Sequence, residues 1–115
     1  MRYAMFICGD TDHTPADAAA APPIEDWFTY ANDRKQYVQG VRLQEVEQAR
    51  TIRVRDGELL VTDGPYTESK EWIAGFGILE CETFAEAVEL ARRNPMAWAG
   101  RIELRPIHSM GGPDD

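Results

Sequence analysis

A chain of 115 residues has the size of one domain. On folding, such a chain removes roughly 60–70% of its unfolded surface from water, enough for a core without disulfide or metal staples. Twenty acidic against twelve basic residues leave a net charge of −8, with no Lys/Arg cluster, so neither nucleic acid nor an anionic membrane is expected as a partner.

The apolar fraction of 43% and charged fraction of 28% are those of an ordinary globular protein. Cys8 and Cys81 each sit inside an apolar run, and two reduced core thiols are expected. No Cys/His set has ligand spacing, so no metal site and no cofactor are expected. No charged N-terminal region leads into a long apolar stretch, and no run of about 18 apolar residues occurs. A cytoplasmic protein without a spanning helix is the expectation.

Residues 2–9, RYAMFICG, are short, apolar and bounded by Gly9-Asp10. They predict a buried strand, and the lack of alternation predicts cover on both faces. Residues 10–23 are polar and rich in Pro and Ala, a loop that either folds over a cleft or moves freely. Ile24, Trp27, Phe28, Ala31 and Val38 share one helical face, with Glu25 and Asp26 in the first turn and Gly40 as the stop.

Residues 41–48 make a weaker strand, since Val46 breaks the alternation of Val41 and Leu43. In TIRVRDGELLV, Ile52 and Val54 alternate with Arg53 and Arg55, Asp56-Gly57 marks a two-residue turn, and Leu59 and Val61 alternate on the return: a β-hairpin. GFGILECE reads as another strand. Thr83 and Glu86 form a capping box for a helix whose inner side is Phe84, Ala87, Val88 and Ala91, stopped by Asn94-Pro95. Ile102 and Leu104 alternate with charged neighbours in a last strand, which Pro106 confines to an edge. Residues 1–107 form the domain and 108–115 a frayed tail.

The order is β, α, β, hairpin, β, α, β. It predicts an α+β ferredoxin-like sandwich: an antiparallel sheet, two helices on one face, and an extra β-hairpin. A strand apolar on both sides leaves the second sheet face in need of cover, and a second copy of the chain is the simplest lid. A face-to-face homodimer is therefore expected, with clefts between helices and sheet.

Candidate chemistry concentrates in TDGPYTESKEW, residues 62–72. Pro65 has no N–H, so the Asp63 carboxylate cannot make the usual Asx-turn bond two residues on. It must cap Tyr66 or turn into a cavity. Gly64, before a proline, is either extended or uses glycine's added freedom. A stiff turn aims its side chains reproducibly. Asp63 is the candidate general base, Lys70 the holder of an anion, and Glu68 an auxiliary acid. Tyr66, Glu71 and Arg53 are candidate substrate contacts, Arg53 through a carboxylate.

DGPYTESKEWIAGFGILE, followed by ETFAEAVELARRNP and IELRPI, resembles the YCII-related family, specifically its DGPF-type branch. Asp63-Gly64-Pro65-Tyr66 keeps that motif with Tyr for Phe. Glu68, Lys70 and Glu71 keep its charged pattern, Gly75 keeps one glycine of the following strand, and IRVRDGELLVTDGP echoes the preceding hairpin. The resemblance covers residues 40–107 closely and the N-terminal strand more loosely. It implies a dimeric α/β-barrel of ferredoxin-like halves, and a His/Asp pair in the dimer cleft for acid–base chemistry. The chain departs from that pattern twice: the expected first helix carries no histidine, and Asn94-Pro95 stands where Asp-Pro is usual.

His13 and His108 fall in loop and tail, where solvent exposure is expected. Trp27, Phe28, Trp72 and Trp98 are expected to pack in the core. Two functional readings follow. One is a cofactor-independent acid–base enzyme of isomerase or lyase type, acting on a small organic acid. The other is a non-catalytic dimer that binds a small ligand or a regulatory partner. A buried Asp63 facing a closed cavity favours the first.

Overall fold

Residues 1–64 and 72–108 are described by a computed structural model of the chain. The apolar N-terminal run forms strand β1 (Arg2–Gly9). A short helix α1 (Pro15–Ala19) and a longer α2 (Ile24–Asp33) follow, then strand β2 (Tyr37–Arg42). The hairpin is β3 (Arg50–Arg55) and β4 (Glu58–Asp63); strand β5 (Trp72–Glu80), helix α3 (Phe84–Arg92) and strand β6 (Arg101–Pro106) complete the order.

Four strands make one antiparallel sheet in the order β2-β5-β1-β6, and β3-β4 stand apart as a two-stranded sheet. Leaving the hairpin aside, the chain connects its four sheet strands in the spatial order 2-3-1-4, the ferredoxin-like connection. Pro106 does lie on an edge strand, opposite Tyr3.

Side-chain alternation divides β1 between the two faces. Tyr3 and Met5 are buried among Trp27, Ala31, Leu79, Ala87 and Leu90, while Ala4, Phe6 and Cys8 point to the opposite face and are only partly covered. Cross-strand register places Phe76 and Ile78 of β5, and Gln39 and Val41 of β2, on that same open face. The core is completed by the Trp27 indole, whose Nε1–H donates to the Leu90 carbonyl oxygen at 2.8 Å and ties α2 to α3.

Two helices differ from the sequence reading, one in its end and one in its buried face. Helix α2 ends at Asp33 rather than running to Gly40, because Lys35 takes a left-handed φ of 56° and the Gln36 N–H bonds back to Ala31. The chain thereby turns early, and Val38 lies on β2 instead of on the helix. In α3 the buried residues are Ala87, Leu90 and Ala91; Phe84 and Val88 flank this stripe and are exposed, since the sheet covers only the narrow centre of the helix. The residue 10–23 segment is also not all loop. Thr14 caps α1 by accepting from the Asp17 N–H while Asp17 reaches back to the Thr14 N–H. The predicted capping box at Thr83 and Glu86 is present, as is the Asp56-Gly57 turn, with φ values of 51° and 78°.

Among the described residues no helix is long and apolar enough to cross a membrane.

Candidate functional site

The C-terminal end of β1 delivers Asp10 to a point where the chain before α1 meets the turn before β6. Gly100 in that turn comes so close to β1 that a Cβ there would stand 2.4 Å from the Cys8 carbonyl oxygen. Only glycine allows this approach, which brings Arg101 opposite Cys8 on the open face. From there the Arg101 guanidinium reaches Asp10 through Nε at 2.8 Å and Asp12 through Nη2. The Asp10 side chain is 3% exposed. Its Oδ1 also accepts the Asp12 N–H at 3.2 Å and lies 3.1 Å from His13 Nδ1.

Electrostatics assigns the proton in the last contact. The Arg101 hydrogen bond, and after it the His13 contact, hold the Asp10 carboxyl far below the usual carboxylate range, so it is ionised at neutral pH and can only accept. His13 Nδ1 is then the donor, and in the neutral ring that tautomer leaves the lone pair on Nε2. A carboxylate that fixes the tautomer and orientation of an imidazole is the arrangement by which a histidine is made a directed base.

The ring lines a cavity of about 420 Å³ with Asp10, Asp12, Asp17, Trp98, Gly100 and Arg101. That volume suits a small metabolite. Among the described residues no group of three His, Cys, Asp or Glu side chains is placed to hold a metal ion.

The sequence-derived candidates lie elsewhere. Asp63, at the end of β4, is 91% exposed on its side chain and pairs with Arg50 Nε at 3.1 Å across the hairpin. Gly64 does use glycine's freedom, at φ +87°, with its N–H on the Ala49 carbonyl and its own carbonyl accepting from Thr51 Oγ1. Arg53 lies on β3 opposite Leu60, on the hairpin face away from Asp63. Tyr66, Glu68, Lys70 and Glu71 lie outside the described residues.

His13 is corrected from a solvent-exposed loop residue to a partly covered one bonded to Asp10, and Trp98 from core to cavity wall. Phe28 and Trp72 are likewise partly exposed, and only Trp27 of the four aromatics is buried. The missed signal was the capping box Thr14-Pro15-Ala16-Asp17, which marks a helix start and therefore an ordered segment just after His13.

The model of the YCII-related domain matches residues 1–111. An uncharacterized protein of Rhizobium meliloti (strain 1021) is 38% identical over 68 residues, 57% of this chain and 55% of that protein. The chain thus spans about half the length of the curated relative it matches.

Proposed function

We propose that this chain, which belongs to the YCII-related domain family, is a cofactor-independent acid–base catalyst working through His13 in the Asp10–Arg101 cavity. The observation that carries this reading is the His13–Asp10 contact at 3.1 Å, with Asp10 held ionised by Arg101. His13 Nε2 takes a proton from a bound small molecule and returns it at another atom, an isomerisation, or loses it after a leaving group departs, an elimination. Asp10 stabilises the imidazolium formed in between. Arg101 is a positioning residue that keeps Asp10 anionic.

Substrate charge follows from the lining. Three aspartates and one arginine line the cavity, and the arginine is already bonded to two of them. A neutral or cationic carbon acid suits this cavity better than the organic acid anticipated from residues 62–72. The anionic alternative needs the exposed Asp12 to swing aside and release Arg101 Nη2.

The cavity adjoins the open sheet face, since Arg101, Glu103 and Arg105 lie on that face opposite Cys8, Phe6 and Ala4. A second copy packed there closes off the uncharged centre formed by Phe6, Phe76, Ile78 and Val41 and walls the cavity. We take the working unit to be this homodimer.

A thermal-shift screen of small neutral, cationic and acidic metabolites tests the site, because a ligand bound to the folded state alone raises its stability. Hits are expected to disappear in His13→Gln and Asp10→Asn and to persist in Asp63→Asn. Solvent-deuterium exchange into a hit, followed by NMR, is expected with the native chain and not with His13→Gln. Hits lost only in Asp63→Asn return the site to the 62–72 corner. Hits without exchange leave a ligand-binding module, the second reading.

A further inference from the structure

The hairpin presents an uncovered apolar ladder. Register pairs Ile52 with Val61 and Val54 with Leu59, so all four side chains share one face. Ile52 is 67% and Leu59 66% exposed, and Val54 and Val61 are each more than half exposed. On the same face, at the base, Arg50 and Asp63 neutralise each other.

A two-stranded sheet standing alone is marginal in water and gains stability when its apolar face is packed. Among the described residues of its own chain none supplies that cover. Nor does the hairpin cover its own open sheet face, where Ile73, opposite Cys8, remains 53% exposed.

We infer that β3-β4 is an arm whose Ile52/Val54/Leu59/Val61 face packs on the open sheet face of a second copy, beside Ile73 and Val41. The inference rests on the homodimer proposed above and adds where its contacts lie.

Three observations select a second copy as the occupant. The chain carries both halves of the contact, two uncharged aliphatic surfaces, and a two-fold axis makes the contact twice. Ordinary monomers rarely leave two such surfaces open. A standard interface needs roughly 800 Å² per partner. The four arm residues and Ile73, Val41, Phe6, Phe76 and Ile78 form the apolar centre of such an interface. Charge permits the approach: the chain is strongly anionic, but the arm face carries only the Arg50–Asp63 pair, and the edge of the open face carries Glu103 with Arg101 and Arg105. Neither surface adds net negative charge to the repulsion between copies.

Light scattering on the full chain, with cysteine cross-linking, tests the arm. The native chain is expected at twice its chain mass at micromolar concentration. Ile52→Glu with Leu59→Glu is expected to weaken association by on the order of 100-fold, since each buried carboxylate would lose its water. The substituted positions are exposed in a single copy, so the folded chain should persist by circular dichroism. In a mixture of Leu59→Cys and Ile73→Cys chains, each also carrying Cys8→Ser because Cys8 stands opposite Ile73 on the open face, oxidation is expected to yield the mixed disulfide-linked pair, and Leu59→Cys chains alone should not link to one another. A dimer undisturbed by the double substitution, or Leu59→Cys linking chiefly to its own kind, overturns the arm and leaves the dimer standing. A monomeric native chain overturns both.

Discussion

Two aspartates at strand ends, each beside a glycine, meet opposite fates. Asp10 follows Gly9 at the end of β1 and is buried against Arg101 and His13; Asp63 precedes Gly64 at the end of β4 and stands in water beside Arg50. Both have an arginine within hydrogen-bonding range, and at Asp10 that contact holds the carboxyl well below its ordinary range. What separates them is the surroundings rather than the partner. A pair in water gains little from Coulomb attraction, whereas a desolvated carboxylate with several donors has its charge fixed. A site therefore needs a residue of the right type together with a fold that removes water from it.

That contrast can be broken first at Asp10. Asp10→Asn withdraws the charge that Arg101 and His13 both address, and is expected to abolish His13-dependent exchange and to lower the melting temperature by roughly 5 °C or more. The matched Asp63→Asn is expected to move it by less than about 2 °C, because exposed ion pairs contribute little. Calorimetry on the two proteins side by side measures the difference; equal shifts would show that burial does not separate the two aspartates.

The glycines sharpen it next. Gly100→Ala forces a Cβ onto the Cys8 carbonyl oxygen and is expected to cost about 1–3 kcal/mol, with loss of cavity ligands. Gly64→Ala meets no atom within 4 Å but strains a φ of +87°, and is expected to cost about 1 kcal/mol in urea unfolding without affecting ligands.

Acid unfolding gives the smallest and most specific effect. In the unfolded chain Asp10 binds its proton near pH 3.9, the approximate ordinary value; in the folded chain Arg101 and His13 hold it off to much lower pH. The unfolded state thus protonates first. Stability from Asp10 is complete above about pH 5 and is lost as pH falls below about 4 toward the folded value. Glu89, lowered to about 2 chiefly by its Arg92 hydrogen bond, follows the same sign. The Asp10 share is read from urea midpoints as the difference between the native chain and Arg101→Ala, whose acid limb is expected to be flatter.

Much of the fold was legible because its signals are local. Asp56-Gly57 needs two positive φ values, which that dipeptide supplies at low strain, so the hairpin was fixed by its turn. Thr83 and Glu86 satisfy each other's backbone groups within one turn of α3. The end of α2 was misplaced because Val38 fits the helical period equally well as a strand residue, and the reversal at Lys35 has no strong sequence mark.

The site was barely legible. Asp10 and Arg101 lie 91 residues apart, and nothing in DTDH or GRIE says that they touch. The charged run 67–71 stands out in the sequence because charge density is visible there, whereas the desolvation of Asp10 is not.

By itself the amino-acid sequence determined the family, the antiparallel α+β order, the hairpin and the capped third helix, since periodicity, turn chemistry and caps act over a few neighbouring residues. Only the tertiary structure decided which aspartate loses its water, which histidine it orients, and which apolar faces stay open. Those properties depend on the sheet order β2-β5-β1-β6, which brings distant segments together and excludes solvent from between them.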